Sequence, residues 1–288
     1  RIAHIARVLY HWRQHEDSMA LRPDDKKHIF DAGIKAVEDA LERRGMDGTV
    51  EEIPDIWRGN YRVHLQLPDS EPTVVRVDDP GRYREVVNAA LMNCNGDHLV
   101  IVGPDVAAAS DDTYRELVAW LDQPGLCAVT ARIVSSGGFL QHAGLVRRPE
   151  GEPLVPYCGY RIEDPGYGAM TVSIRNVSLL HPMACAWRVD VLRAIGGLPA
   201  TFDGPYAMLD ASIAAELAGH RLLYNPLATF VSDHDTMSPT SWPEEERERF
   251  VNQRSDVIDF DWQHHWAFDR AHVDMRLGLA APDYRSDV

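Results

Sequence analysis

The chain has 288 residues, of which 45% are hydrophobic and 25% are charged. This mixture is typical of a folded domain and excludes a collagen, a disulfide miniprotein and a disordered chain. The 44 aspartates and glutamates outnumber the 29 lysines and arginines, which gives a formal net charge of −15. Nucleic acid is therefore not expected as a partner, since the phosphate backbone attracts basic surfaces. No apolar run approaches the ~18 residues that a transmembrane helix needs.

The cysteines and the common catalytic motifs exclude several further classes of protein. The four cysteines (Cys94, Cys127, Cys158 and Cys185) are widely spaced and form no CxxC pair, so neither a disulfide framework nor a zinc ribbon is predicted. Buried free thiols in a reducing cytoplasm explain them. The sequence contains no GxSxG, P-loop, GxGxxG or HExxH motif, which disfavours hydrolase, NTPase, dehydrogenase and zincin functions.

The first quarter of the sequence looks like an appendage to the main domain. A helix is predicted from about Lys26 to Arg44, because apolar residues recur at helical spacing and Gly45 follows as a stop signal. The next segment, 48–72, is a connector punctuated by proline and glycine that contains one predicted strand, Tyr61–Leu67. We assign residues 1–60 to a connector with one long helix. The chain begins with arginine, which we interpret as a cut end.

A core domain is predicted over residues 61–235, where strands alternate with helices. The predicted strands are Thr73–Val77, Leu99–Val102, Cys127–Val134, Met183–Val189, Arg221–Tyr224 and Ala228–Val231. The predicted helices are Tyr83–Leu91, Asp111–Leu121, Val191–Ile195 and Leu209–Ala218. This alternation predicts an α/β fold with a mainly parallel sheet and flanking helices, and ligands of such sheets bind beyond the carboxyl ends of the strands. Residues 135–180 are expected to form loops with short strands.

Residues 236–288 are predicted to form a C-terminal extension that is partly helical and partly irregular. Glu244–Arg249 opens with charged residues and is interpreted as the start of a solvated helix.

Two candidate metal ligands directly follow predicted strands. Asp105 lies after Leu99–Val102, where a carboxylate can hold a divalent cation that neutralises a diphosphate; a turn aspartate after Pro104 is the alternative. His234 lies between Asp233 and Asp235 after the last predicted strand. An imidazole flanked by carboxylates can complete a metal site, and a surface loop is the alternative.

Two further segments could carry catalytic or binding groups. Asp210 lies near the start of a mostly apolar helix, where it is either a general base with a raised pKa or an acid favoured by the helix dipole. Gln141 and His142 follow two glycines. On such a loop they could bind sugar hydroxyls, although a turn with a buried histidine has the same pattern.

Several segments, taken in chain order, carry a resemblance. They are 4–13, Leu41–Gly45, Asn88–Ala90, Gly96–Val106, Gln141–Gly144, Ala194–Leu198 and Leu217–Pro226. Together they resemble the family 2 glycosyltransferases with a GT-A fold, in particular modules of bacterial tandem enzymes that synthesise cell-surface polysaccharides. The first two segments are similar to the end of a preceding module and the linker after it.

The resemblance implies a nucleotide-sugar donor, a glycan acceptor, a divalent cation (Mn²⁺ or Mg²⁺) and an inverting displacement. It implies that Asp105 and His234 are metal ligands and that Asp210 is the surviving acid of the catalytic motif. The acceptor side would include Gln141 and His142 of one loop and the turn formed by Gly196-Gly197. It also implies a cytoplasmic location, with peripheral attachment to the inner face of the membrane as a variant, and other modules of a longer polypeptide as partners.

The chain departs from the family pattern at three places. The first nucleotide-binding βα units are not visible, so no nucleotide-binding residue is identified. Gly103 stands at the first position of the metal motif, and Ala207-Met208 replaces the Glu-Asp pair of the catalytic motif. These departures leave two alternatives to an active transferase. One is a catalytically degenerate module that binds glycans or acts as a scaffold, and the other is an unrelated α/β binding protein.

Overall fold

The structure is a computed structural model that describes residues 27–53, 56–234 and 242–258, together with residues 261, 263, 268, 270 and 272–275. The segment 4–13 and Asp235 lie outside the described residues. The chain divides into two compact units, residues 1–65 and 66–288. Among the described helices, none combines the length and the apolarity needed to cross a membrane.

In the first unit, the described residues form one helix and a hairpin. Helix α1 (Lys27–Arg44) matches the predicted helix and ends at Gly45, whose φ of 64° is the left-handed conformation that glycine adopts at helix ends. Strands β1 (Gly48–Glu52) and β2 (Tyr61–Leu65) pair antiparallel. Strand β1 was not predicted, because its five residues are two glutamates, a glycine, a threonine and one valine.

The second unit contains the remaining elements. Its strands are β3 (Thr73–Arg76), β4 (His98–Val102), β5 (Ala107–Ala108), β6 (Leu126–Val134), β7 (Leu140–His142), β8 (Arg175–Val177), β9 (Ala184–Arg188) and β10 (Arg221–Val231). Its helices are α2 (Tyr83–Asn93), α3 (Thr113–Val118), α4 (Val189–Ala194), α5 (Tyr206–Leu217) and α6 (Glu244–Gln253). Each core strand and helix predicted from the sequence occurs, with ends shifted by a few residues. The two predicted strands between residues 221 and 231 form one strand.

The main path of the sheet has the order β3-β4-β9-β6-β10-β5. Strands β3, β4, β6 and β10 point in one direction, while β9 and β5 point in the other. The predicted α/β class with a mainly parallel sheet and flanking helices is therefore confirmed. The carboxyl ends of the four strands that share a direction reach the same edge of the sheet, and the residues that follow them lie along that edge.

Two apolar layers cover the sheet. Strand β4 shows why, since Leu99 and Ile101 pack in the cluster on the side of α2, α4 and α5, whereas Val100 and Val102 pack in the cluster on the side of α3. Side chains alternate between the two faces of a strand, and an uninterrupted apolar run such as this one is buried on both faces. Three of the cysteines are buried as expected, but Cys158 is exposed.

Candidate functional site

Asp105 follows β4 in a strained turn at the carboxyl edge of the sheet. Its φ is 55°, a left-handed conformation that residues other than glycine rarely adopt and that clusters at functional sites. The preceding Gly103 donates its N–H to the Met183 carbonyl, and a Cβ at this glycine would lie 2.2 Å from the Met183 sulfur. A side chain at this position would collide with Met183 unless that residue moved.

The structure brings His234 next to Asp105. The imidazole Nε2 of His234 lies 4.0 Å from the Asp105 carboxylate oxygen Oδ2. Both side chains are open to solvent, with exposed fractions of 72% for His234 and 65% for Asp105. A carboxylate and an imidazole at this separation form an accessible pair of potential metal ligands.

The turn that carries His234 is held by the loop after β6. Asp233 accepts a hydrogen bond from the Ser136 N–H at 2.8 Å, and this bond lowers the pKa of the Asp233 carboxyl. Gln141 donates from its amide to the Ser232 carbonyl at 2.6 Å. The structure therefore gives Gln141, which was expected on the acceptor side, a role in holding the end of β10 in place.

Two cavities adjoin this pair, and Asp105 and His234 line both. The first cavity has a volume of about 470 Å³ and is further lined by Pro80, Gly81, Pro104, Met183, Asp203, Gly204, Pro205, Trp242, Pro243 and Glu246. The second cavity has a volume of about 590 Å³ and is further lined by Arg76, Asp78, Val106, Ala107, Val231, Ser232 and Asp233. Among these described residues, the first cavity has no lysine or arginine. In the second, Arg76 donates to the Val106 carbonyl at 2.9 Å.

One wall of the first cavity comes from the C-terminal extension. Glu246 on α6 is only 4% exposed, and its carboxylate accepts from the backbone N–H groups of Asp203 and Gly204. Trp242 packs edge-on against Tyr206, with ring centroids 5.1 Å apart. The sequence predicted that Glu244–Arg249 is the start of a solvated helix; Glu244, Glu245, Glu248 and Arg249 are exposed, but Glu246 is buried. A usable signal was the four-residue spacing of Glu246 and Phe250, which places both on one face of α6.

Asp210 lies away from both cavities and is already paired. Its side chain is buried, and its two carboxylate oxygens accept from Arg254 Nε at 2.6 Å and from the Arg254 guanidinium at 2.9 Å. Gln253 adds a third hydrogen bond to the same carboxylate at 3.2 Å. Asp210 lines neither cavity, and its ion pair with Arg254 joins α5 to the end of α6.

Met208 is also a core residue. It is fully buried, and the Trp187 indole N–H points at its sulfur at 3.3 Å. Met208, which stands where the family pattern has an acid, therefore belongs to the apolar layer on the side of α2, α4 and α5.

His142, the last residue of β7, is fully buried. Its Nδ1 lies 2.8 Å from the Ala131 carbonyl, and its ring packs edge-on against His181. Burial lowers the pKa of His142 to about 3, so the imidazole is neutral at physiological pH. The sequence left open a sugar-binding residue or a buried histidine, and in the structure His142 is buried.

Gly196 and Gly197 end helix α4 in left-handed conformations, with φ values of 93° and 75°. The Asn88 side chain forms two hydrogen bonds with Leu198, the residue after Gly197. Its amide donates to the Leu198 carbonyl and its oxygen accepts from the Leu198 N–H, each at 2.9 Å. Gly196 and Gly197 line neither of the two cavities. Their positive φ values let the chain reverse after α4 and pack against α2.

Comparison with known proteins gives one curated relative. No family model matches the chain. The uncharacterized protein y4gI of Sinorhizobium fredii (strain NBRC 101917 / NGR234) is 22% identical over an alignment of 342 residues. The alignment covers 99% of this chain and 37% of that protein, so the chain spans little more than a third of its relative's length.

Two solved glycosyltransferases are similar to part of the fold. The mannosyltransferase PcManGT from Pyrobaculum calidifontis, solved in complex with GDP-Man and Mn²⁺, has a TM-score of 0.31 and 19% identity over 52% of this chain and 35% of that chain. GalNAc-T7, solved with UDP, GalNAc and Mn²⁺, has a TM-score of 0.42 and 11% identity over 58% of this chain and 34% of that chain. Likeness at this level transfers no residue role.

Proposed function

We propose that this chain is a glycosyltransferase module that transfers a sugar from a nucleoside diphosphate sugar to a glycan acceptor, with inversion and with the help of a divalent cation. The observation that carries the proposal is the convergence of Asp105 and His234. The two residues follow different strands, and the fold brings their ligand atoms to within 4.0 Å at the carboxyl edge of the sheet. Ligands of open α/β sheets bind at this edge.

The donor atoms of this pair fit a divalent cation. Carboxylate oxygen and imidazole nitrogen bind such ions at about 2.0–2.2 Å, so one ion can touch both when the ligand atoms are up to roughly 4 Å apart. Among the described residues no group of three or more potential ligands occurs. A site with two protein ligands leaves positions for phosphate oxygens, as is usual for ions that act on nucleotides. When bound, the cation would neutralise the charge that develops on the leaving nucleoside diphosphate.

The acidic lining of the first cavity favours a nucleotide bound together with a cation over a free anion. The first cavity contains the carboxylates of Asp105, Asp203 and Glu246 and no basic side chain other than His234 among its described lining residues. A diphosphate would be repelled by these acids unless a cation accompanied it. The second cavity contains Arg76 and Asp78, and we assign the nucleoside end of the donor to it because ribose hydroxyls can donate to a carboxylate.

Titration calorimetry with UDP, GDP and dTDP, each with and without Mn²⁺, tests the proposal. We expect micromolar binding of one nucleotide that depends on the cation. Absence of binding to all three nucleotides by the folded protein would contradict a donor site and would favour a glycan-binding or scaffolding module.

We further propose that the activity belongs to the synthesis of a cell-surface polysaccharide in the cytoplasm or at the inner face of the membrane. The chain matches only part of its curated relative, which is consistent with one module of a longer polypeptide. The acceptor would then be a growing glycan presented by neighbouring modules.

A further inference from the structure

A sugar transfer to a hydroxyl needs a group that removes the hydroxyl proton, and the two positions expected to supply it are occupied otherwise. Met208 is fully buried and cannot take a proton. Asp210 is bound by the Arg254 guanidinium on both carboxylate oxygens. If the proposed transfer occurs, its base must come from another part of the chain. Only an acidic residue that lines one of the two cavities can reach the acceptor.

The first cavity is lined by three carboxylates, those of Asp105, Asp203 and Glu246. Asp105 is assigned to the cation. Asp203 is 68% exposed at its side chain and forms an ion pair with Arg84 at 2.6 Å. Glu246 is 4% exposed, and its hydrogen bonds among the described residues come from backbone N–H groups, so no cation neutralises it there.

One oxygen of the Glu246 carboxylate, Oε2, can accept a further hydrogen bond. Its Oε1 accepts from the N–H groups of Asp203 at 2.7 Å and Gly204 at 3.1 Å, whereas Oε2 has one long contact of 3.3 Å with the same Gly204 N–H. An ionised carboxylate offers about four acceptor positions. The backbone bonds fix the orientation of the group while Oε2 keeps capacity for a further hydrogen.

The rest of the cavity suits an uncharged, hydroxyl-rich ligand. Four prolines, Met183 and Trp242 supply apolar surface, and the acids beside them repel anions. The volume of about 470 Å³ lies within the usual range for small-ligand sites. A neutral sugar has both properties required, because its C–H face is apolar and its hydroxyls donate to carboxylates.

We propose that this cavity is the acceptor subsite and that Glu246 is the catalytic base of the transfer, an inference that rests on the proposed function. As the acceptor oxygen forms a bond to the anomeric carbon, its proton passes to Glu246 Oε2. The bond from the anomeric carbon to the phosphate oxygen breaks, and its electron pair leaves with the nucleoside diphosphate. The proton is then released to water, which restores the carboxylate.

The decisive variant is Glu246→Gln, with the exposed neighbour Glu248→Gln as a matched control. The glutamine oxygen can still accept from the Asp203 and Gly204 N–H groups, but the side chain cannot take a proton. The assay follows nucleotide release from UDP-glucose, UDP-GlcNAc, GDP-mannose and dTDP-rhamnose in buffer with Mn²⁺, with water as acceptor. We expect Glu246→Gln to lose about 10²–10⁴-fold in turnover, whereas its nucleotide affinity by calorimetry does not fall and the turnover of Glu248→Gln stays unchanged.

Azide separates a base from a structural residue. Azide attacks the anomeric carbon without giving up a proton, so sodium azide should restore nucleotide release in Glu246→Gln and yield a glycosyl azide detectable by mass spectrometry. If Glu246→Gln does not fold, Glu246→Asp retains the charge but shortens the side chain by one methylene, which withdraws the base from the acceptor hydroxyl, so turnover should fall and azide should restore it.

Three results would overturn the inference while leaving nucleotide binding intact. They are normal turnover of the Glu246 variant that folds, a loss that azide does not restore, and a wild-type protein that binds a nucleotide but releases none from the matching sugar donor. Absence of nucleotide binding in the wild type would instead overturn the proposed function itself.

Discussion

Asp105 and His234 are expected to act together, because their ligand atoms lie 4.0 Å apart and both side chains are open to solvent. We predict that Asp105→Ala and His234→Ala each abolish Mn²⁺-dependent nucleotide binding in titration calorimetry, since either change leaves a single protein ligand. Asp69→Ala, at an exposed loop position, is the control and should bind normally. Unchanged binding in both site variants would exclude this pair as the metal site.

A second residue-scale prediction concerns pH. Burial lowers the pKa of His142 to about 3, and that of its neighbour His181 is also well below the ordinary value. Between pH 6.5 and 3 the imidazole is protonated in the unfolded chain but stays neutral in the folded chain. The part of the unfolding free energy that is linked to this proton is therefore fully present above pH 6.5 and is lost as the pH falls toward 3. At pH 5 the loss from His142 is about 2 kcal/mol at 1.36 kcal/mol per pH unit.

Urea unfolding at pH 7, 6 and 5 measures this loss. The variant His142→Gln should show a smaller drop in unfolding free energy between pH 7 and 5 than the wild type. His220→Gln, which changes a partly exposed histidine, should keep the wild-type slope. An identical slope in all three proteins would show that the buried imidazole does not control the pH dependence.

The sequence predicted some of these residues and missed others for physical reasons. Asp105 and His234 could be proposed because each directly follows a strand, and strand ends are visible in the apolar pattern. Glu246 was missed, because its burial depends on contacts with a turn more than forty positions away in the chain. The same applies to Asp210, whose pairing with Arg254 cannot be read from local sequence.

At the scale of elements, the turn after α4 offers a matched pair of substitutions. Gly196 and Gly197 both have positive φ, but a Cβ at Gly196 meets nothing within 4 Å, whereas one at Gly197 lies 2.7 Å from the Asn88 side-chain oxygen. We predict that Gly196→Ala costs about 1–2 kcal/mol from the left-handed conformation alone. Gly197→Ala should cost more, because it also disturbs the hydrogen bonds between Asn88 and Leu198. Equal costs in urea unfolding would contradict this role of Asn88.

The attachment of α6 to α5 depends on the buried ion pair between Arg254 and Asp210. We predict that Arg254→Met lowers the unfolding free energy by about 3–5 kcal/mol, because it leaves a buried carboxylate without its cation. Arg249→Met on the exposed face of the same helix is the control and should change stability little. A small effect of Arg254→Met in urea unfolding would mean that water or a neighbouring group compensates Asp210.

Most elements of the core could be predicted, whereas their arrangement could not. The apolar run of β4 and the helical spacing of apolar residues in α2 are visible in the sequence, so the existence and the approximate ends of both elements were predicted. The antiparallel direction of β9 was not predicted, since an apolar strand looks the same in either direction. The sequence predicted two strands where β10 is continuous, and the structure has a register shift against β6 between Asn225 and Thr229.

At the scale of the whole molecule, the proposed function requires a chain with a net charge of −15 to bind an anionic nucleotide. Four strands deliver their carboxyl ends to one edge, where Asp105 and His234 offer ligands for a cation beside a cavity lined by carboxylates. The proposed binding of the anionic donor therefore depends on that cation and on its position between Asp105 and His234.

The most direct test is a crystal structure of the protein with Mn²⁺ and the nucleotide selected by calorimetry, with data collected at the manganese absorption edge. We predict an anomalous peak within about 2.0–2.4 Å of both the Asp105 carboxylate and the His234 imidazole, bridged to the diphosphate. A nucleotide bound elsewhere, or a manganese peak that touches neither side chain, would contradict the proposed site.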